Sequence, residues 1–139
     1  MIGSTLLTFT AFDRKGYKFK VMIDCGSTHN WADTSWAIRQ GKLTNISHPV
    51  TVSFANGEHG STTKKTSILG RIGNHYLTVE AMVMDLPTEF DLVLGMPWLR
   101  KYNPCIDWFR STLKIKDSKG IQILEADRSV QHLDRKSVV

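Results

Sequence analysis

The sequence has little cysteine and lacks the marks of export or membrane passage. Its two cysteines, Cys25 and Cys105, lie 80 residues apart with no CxxC, CxxH or HxxH spacing nearby. That excludes a zinc site and a disulfide framework. His29 follows Cys25 by four residues, but two ligands do not make a metal centre. No apolar run approaches the roughly 18 residues of a membrane-spanning helix, and no basic segment leads into a long apolar one, so no signal peptide is expected. Walker-type glycine loops, GxSxG and HExxH are all missing. A reducing, cytoplasmic compartment is expected, with no cofactor and no metal.

What is present is one domain's worth of chain. At 139 residues and 41% hydrophobic composition, it can bury roughly two-thirds of its unfolded surface without staples. It is too short for a two-lobed enzyme unless two chains supply the lobes. The 18 basic and 13 acidic residues leave +5. Residues 1–70 hold 8 Lys/Arg and 4 Asp/Glu, and residues 71–139 hold 10 and 9. This excess is thinly spread and reads as a soluble basic surface. Neither a membrane nor a direct nucleic-acid partner is expected. Four tryptophans invite a stacking reading, but Trp31, Trp36 and Trp98 fall on or beside helix candidates and read as core.

Local patterns are mostly those of short strands. Residues 4–12 (STLLTFTAF) and the alternating 17–23 (YKFKVMI) form a hairpin over Asp13-Arg14-Lys15-Gly16. Residues 33–43 allow one short helix, capped by Asp33 or Thr34 and ended by Gly41. Strands are expected at 50–54 and 62–68 around the Gly-bearing tip 56–60, and at 76–84 after a turn at Asn74. Residues 90–95 (FDLVLG) read as a short buried strand. Pro97 opens a helix to about Tyr102, and Asn103-Pro104 stops it. Residues 106–115 and 121–124 read as a closing hairpin over 116–120. The class is all-β, with one or two short helices: a single domain over 1–125 and a polar tail over 126–139.

The sharpest chemical feature is Ile23-Asp24-Cys25-Gly26-Ser27-Thr28. A carboxylate ends an apolar strand, and a glycine two positions on lets the backbone turn beside it. An Asp at a strand end often only caps a turn, so D-x-G alone carries little. Some seventy residues later come Leu92, Val93, Leu94 and Gly95, entering a helix. Asp91 and Asp107 read as turn-holding or surface residues.

That order, D-x-G upstream and apolar-apolar-Gly entering a helix downstream, resembles the retropepsin-type aspartic proteases. Ile23 to Asn30 (IDCGSTHN) is similar to the IDSGATHNF of Ty3/gypsy-class long-terminal-repeat retrotransposons, and Phe90 to Trp108 (FDLVLGMPWLRKYNPCIDW) to their YDVILGMPWLRKHNPxIDW. Residues 54–57 resemble their flap tip. The likeness spans about residues 5–125 and is specific at both ends. It implies a closed β-barrel acid-protease domain forming half of a two-fold dimer. In it Asp24 is catalytic, and Cys25 and Gly26 shape its loop. Ser27, Thr28 and His29 line the cleft against substrate backbone. Ala55, Asn56 and Gly57 belong to the flap, and Leu92 to Gly95 pack on the active-site turn. Cys25 departs from the usual Ser or Thr, whose hydroxyl bonds across the dyad; a thiol is a weaker donor.

The chain has one D-[S/T/C]-G, whereas hydrolysis by paired carboxylates needs two at one water. One expected partner is therefore a second copy; the resemblance further implies a polypeptide substrate, the gag-pol polyprotein of a retrotransposon, cleaved in the cytoplasm or in virus-like particles. The alternative is the same fold kept as a weakened or inactive dimerisation or peptide-binding module, with Cys25 as its scar.

Overall fold

Alternation of apolar and polar residues builds the first hairpin. A computed structural model describes residues 7–53, 57–86 and 89–127. In it β1 (Leu7–Asp13) pairs antiparallel with β2 (Lys18–Ile23), from Leu7 opposite Ile23 to Phe12 opposite Lys18. Phe19 and Val21 point into the core while Lys18 and Lys20 face out, as a period of two requires. The Asp13 carboxylate closes the turn by accepting from the N–H groups of Lys15 and Tyr17, each at 2.9 Å.

Beyond the hairpin, β3 (Trp31–Asp33) leads into α1 (Thr34–Gln40), which ends at Gly41. Trp36 of α1 is buried against the Phe19 ring, 4.7 Å between centroids. Asp33 occupies the N-cap position but does not cap the helix with its side chain. Its carboxylate instead accepts from Ser35 Oγ and Leu86 N. The long strands β4 (Thr44–Ser53) and β5 (His59–Ile72) form the second hairpin, and β6 (His75–Met84) returns along β5. Both hairpin strands outrun the expected 50–54 and 62–68, because threonines and lysines on their outer faces suit a half-exposed ladder. Then come β7 (Leu92–Leu94) and α2 (Met96–Tyr102), with Pro97 in its first turn and Asn103 left-handed at φ 42° just past its end.

The strands run β1-β2-β7-β3-β6-β5-β4. Because β5 also pairs with β1 (Phe12 with Arg71, Asp13 with Gly70), the first six close into a barrel and β4 lies outside it. Gly70 is required at that seam: a Cβ there would sit 2.7 Å from the Phe12 carbonyl oxygen and 3.1 Å from the Phe19 ring. In the middle, β7 is buried along its whole length between β2, which it meets in parallel, and β3, which it meets antiparallel. Its unbroken apolar run reflects burial on both faces.

The C-terminal segment differs from the expected hairpin. Three strands form a second sheet: β8 (Cys105–Asp107), β9 (Thr112–Asp117) and β10 (Gly120–Glu125). Between β8 and β9 the Asp107 carboxylate accepts from the main-chain N–H of Arg110 and from its guanidinium, and Ser111 turns through φ 55°. Those bonds fold residues 108–111 into a turn, although Trp108 and Phe109 favour a strand. Leu113, Ile115 and Leu124 from this sheet join Phe9, Leu92 and Trp98 in one continuous core. His75 on β6, 1% exposed, donates from Nδ1 to Asp117 Oδ2 at 2.8 Å and so ties the barrel to the small sheet. Ala126 and Asp127 remain attached through Ser111 O, Thr8 O and the Thr10 hydroxyl.

Candidate active site

Asp24 is the first residue beyond β2, and the sheet still holds it: its N–H donates to Leu94 O at 2.9 Å, one step past the Ile23–Leu94 pair. The chain then turns sharply. Gly26 N donates to Asp24 Oδ1 at 2.9 Å, and Ser27 N to Asp24 O at 3.2 Å. One carboxylate oxygen is thereby oriented by the loop it begins, and among the described residues no hydrogen bond reaches the other. Asp24 is half-buried, while Cys25, Gly26 and Thr28 are exposed. Cys25 is a free thiol.

A second loop locks the first in place. Met96 N donates to Ser27 O at 2.8 Å, and Gly95 N to the side-chain oxygen of Asn30 at 2.9 Å. Gly95 runs so close beneath residues 27–29 that a Cβ would lie 2.4 Å from His29 O and 2.7 Å from Ser27 O. Real side-chain carbons do not approach main-chain oxygens so closely, so only glycine fits here. Leu92, Val93 and Leu94 are buried behind this contact.

Asn30 organises the junction, a role its place in the sequence did not suggest. It is buried; its amide donates to Glu80 O at 3.2 Å, its oxygen accepts from Gly95, and its main-chain oxygen accepts from Met82 N. The available signal was a lone amide just before the apolar pair Trp31-Ala32, where a polar group must find partners inside. Ser27 is likewise committed: its hydroxyl donates to His29 O at 2.7 Å and accepts from Trp31 Nε1 at 3.0 Å. Thr28 Oγ1 and His29 Nδ1 lie 2.9 Å apart, and the His29 ring packs edgewise on Trp31.

The structure therefore brings together Asp24 to His29 and Leu92 to Gly95, from opposite halves of the chain. Gly57 turns at φ 89° between β4 and β5; Ala55 and Asn56, its expected neighbours in the flap, lie outside the described residues. Trp31, Trp36 and Trp98 are core residues, as expected, and Asp91 holds Lys20 N at 2.8 Å. Among the described residues no group of three or more His, Cys, Asp or Glu could hold a metal. Asp13, Asp107 and Asp117 have lowered pKa. At Asp117 the hydrogen bond from His75 dominates over the opposing effect of burial. At Asp107 the main-chain N–H of Arg110 dominates.

Comparison with known proteins follows the same lines. The family profile described as PEG10/RTL1 protease domain matches residues 20–122. No curated protein sequence matches the chain significantly. Among solved structures, the retroviral protease-like domain of Ddi1 from Leishmania major superposes with a TM-score of 0.57 at 16% identity, covering 87% of this chain and 95% of that one. A retropepsin-like aspartic protease from Rickettsia conorii gives 0.47 at 19% identity, over 88% and 85%. The first of these likenesses shows the shared fold.

Proposed function

The chain belongs to the PEG10/RTL1 protease domain family, and from that premise we propose that it is an aspartic endopeptidase whose active site forms when two copies each contribute Asp24. The observation that carries this reading is the Asp24 loop itself. It presents a half-buried carboxylate beside an exposed Cys25-Gly26 turn, cinched from below by Leu94, Gly95 and Met96.

The chemistry follows from placing two such carboxylates at one water. Like charges in contact cannot both ionise cheaply, so the pair shares one proton. The ionised partner takes a proton from water as it attacks the scissile carbonyl; the protonated partner donates to the carbonyl oxygen, giving a tetrahedral diol. Collapse returns a proton to the leaving amine. The two apparent pKa values belong to the pair. The Gly26 N–H on Asp24 Oδ1 holds each carboxylate in plane. Thr28 and His29, beyond the turn, are the groups proposed to meet substrate backbone, with Ser27 holding their loop. The Gly57 hairpin is proposed to close over the peptide and exclude water.

The substrate is proposed to be an extended segment of the retroelement polyprotein from which such domains are cut, in the cytoplasm or in assembled particles. One observation favours a second reading, a weakened or inactive module: Cys25 supplies a thiol where a hydroxyl would bond across the two-fold axis. Cleavage of extended peptides at mildly acid pH, blocked by pepstatin-type inhibitors, tests the choice. Asp24→Asn keeps an oxygen to accept from Gly26 N, so it should fold yet lose activity by orders of magnitude. Full activity in purified Asp24→Asn protein would sink the proposal. A folded, dimeric wild type that cleaves nothing would favour the second reading.

A further inference from the structure

A row of alternating cations and aromatic rings crosses the outer face of the barrel. Lys18 on β2 stands opposite Phe12 on β1, Phe12 opposite Arg71 on β5, and Arg71 opposite Tyr76 on β6. Directly opposed residues of antiparallel strands share a face, and the buried neighbours Ala11, Phe19, Ile72 and Leu77 put that face outside. The Arg71 guanidinium lies 4.7 Å from the centre of the Phe12 ring and donates to Gly73 O at 3.2 Å. Lys119, in the turn between β9 and β10, holds its Nζ 4.0 Å from the centre of the Tyr76 ring and donates to Asn74 O at 3.2 Å. Five side chains from three separate stretches of the sequence thus make one continuous row. Arg14 stands at its border, in the wall of a depression of about 370 Å³ between Phe12, Leu69, Arg71 and Tyr76.

Two of the cations are held in place, and the cations of the row, Lys18, Arg71, Lys119 and the bordering Arg14, outnumber the carboxylates beside it, Asp13 and Asp117. Ring contacts and main-chain carbonyls fix Arg71 and Lys119, so little further order is lost on binding an anion. The two carboxylates keep their charge but turn their oxygens to donors outside the row or to main-chain N–H groups. Asp13 accepts from Lys15 N, Tyr17 N and Gln40 Nε2, and Asp117 accepts from His75 and Lys119 N. Tyr76 is 62% exposed. An acidic peptide would use the cations but not the rings, whereas a single nucleic-acid strand offers phosphates and flat bases in alternation. Basic tracks with aromatic platforms are how such strands are bound without sequence preference.

We infer that this row is a binding site for single-stranded nucleic acid, with phosphates on Arg71, Lys119, Lys18 and Arg14 and a base packed against the part of the exposed Tyr76 ring that Lys119 does not cover. It lies six residues from Asp24 along β2, roughly 20 Å at about 3.3 Å per residue. The site is therefore separate from the candidate peptide cleft and does not depend on that reading. The even spread of charge along the sequence concealed it, because its members are drawn from positions 12, 14, 18, 71, 76 and 119.

The test is fluorescence anisotropy of a labelled single-stranded RNA of about twelve nucleotides, a length within the range such grooves cover, titrated with the full chain at several salt concentrations. The expected result is saturable binding whose log affinity falls against log salt with a slope of about −2 to −3, since each of up to four neutralised phosphates adds roughly −0.7. Tyr76→Ala should weaken binding by about fivefold or more, and Tyr76→Phe should retain it. Lys119→Gln and Arg71→Gln should each flatten the slope by about 0.7. Lys114→Gln, on the exposed face of the small sheet, should change neither. Absence of saturable binding, wild-type affinity in both Tyr76→Ala and Arg71→Gln, or equally tight binding of polyphosphate or an acidic peptide would overturn the inference.

Discussion

Replacing Gly95 by alanine tests how the Asp24 loop is held. The added Cβ would stand 2.4 Å from His29 O and 2.7 Å from Ser27 O. Normal contact requires the two loops to separate by about 1 Å or more, and both obstacles are main chain, so no rotamer change relieves them. Overpacking of this kind costs typically about 1–3 kcal/mol. Separation also breaks the bond from Gly95 N to the buried Asn30 side chain, and a buried acceptor left unpaired costs about 1–3 kcal/mol more. The sum, about 2–6 kcal/mol, should lower Tm by about 6–30 °C for a chain of this size, at about 3–5 °C per kcal/mol. Activity should fall further than stability explains, because Asp24 hangs from Leu94, the residue before the glycine, and a misplacement of about 1 Å costs about a hundredfold. Gly16→Ala is the control: unlike the extended Gly95, at φ −103°, Gly16 is left-handed at φ 91°, but its Cβ would meet nothing within 4 Å, so only about 1–2 kcal/mol is expected. Thermal unfolding followed by circular dichroism, with peptide cleavage measured below both midpoints, reads out both effects. A Gly95→Ala protein with wild-type Tm and activity would refute the idea that close approach of the two loops positions Asp24.

Cys25→Ser should keep or raise cleavage and tighten self-association by about 1 kcal/mol, the scale of one ordinary hydrogen bond; sedimentation against concentration measures it, and a folded, dimeric but dead Cys25→Ser would reopen a role for the sulfur. The Asp117–His75 tie predicts a pH dependence of stability. The hydrogen bond from His75 lowers the folded-state pKa of Asp117, so its contribution is fully present above the unfolded value near 4 and is lost as pH falls through the lower folded value. The Tm gap between wild type and Asp117→Asn should thus be widest above about pH 5 and shrink below pH 4; a gap that widens in acid would contradict the assignment. Ser27→Ala should cost about 1–3 kcal/mol by leaving Nε1–H of the buried Trp31 without its acceptor, and unchanged denaturant unfolding would count against that role.

The parts of the molecule legible in sequence were those where the backbone itself constrains residue type. Gly95 has no alternative beneath His29 O, Pro97 fits only a first turn, and the all-apolar Leu92-Val93-Leu94 suits a strand buried on both faces. The Asp24 turn and both short helices were therefore readable, as was the β1–β2 hairpin with its strict alternation. Features fixed by distant partners were not. The strand β3 is three residues long and exists because β6 and β7 flank it. The turn at 108–111 depends on one carboxylate overriding two aromatic residues. Asn30 draws its partners from Glu80, Met82 and Gly95, so its role appears only once three segments meet. The cation–ring row is assembled across four strands and one turn, and no window of sequence contains it.

The most direct measurement mixes wild-type protein with Asp24→Asn at constant total concentration and follows peptide cleavage after the subunits have exchanged. If each active site needs one Asp24 from each of two chains, equal parts should leave about a quarter of the wild-type rate, because only wild-type pairs in a freely exchanging two-fold dimer are competent. Activity should also fall on dilution. A rate of one half, linear in the wild-type fraction and independent of dilution, would mean that a single chain performs hydrolysis and would contradict the shared dyad.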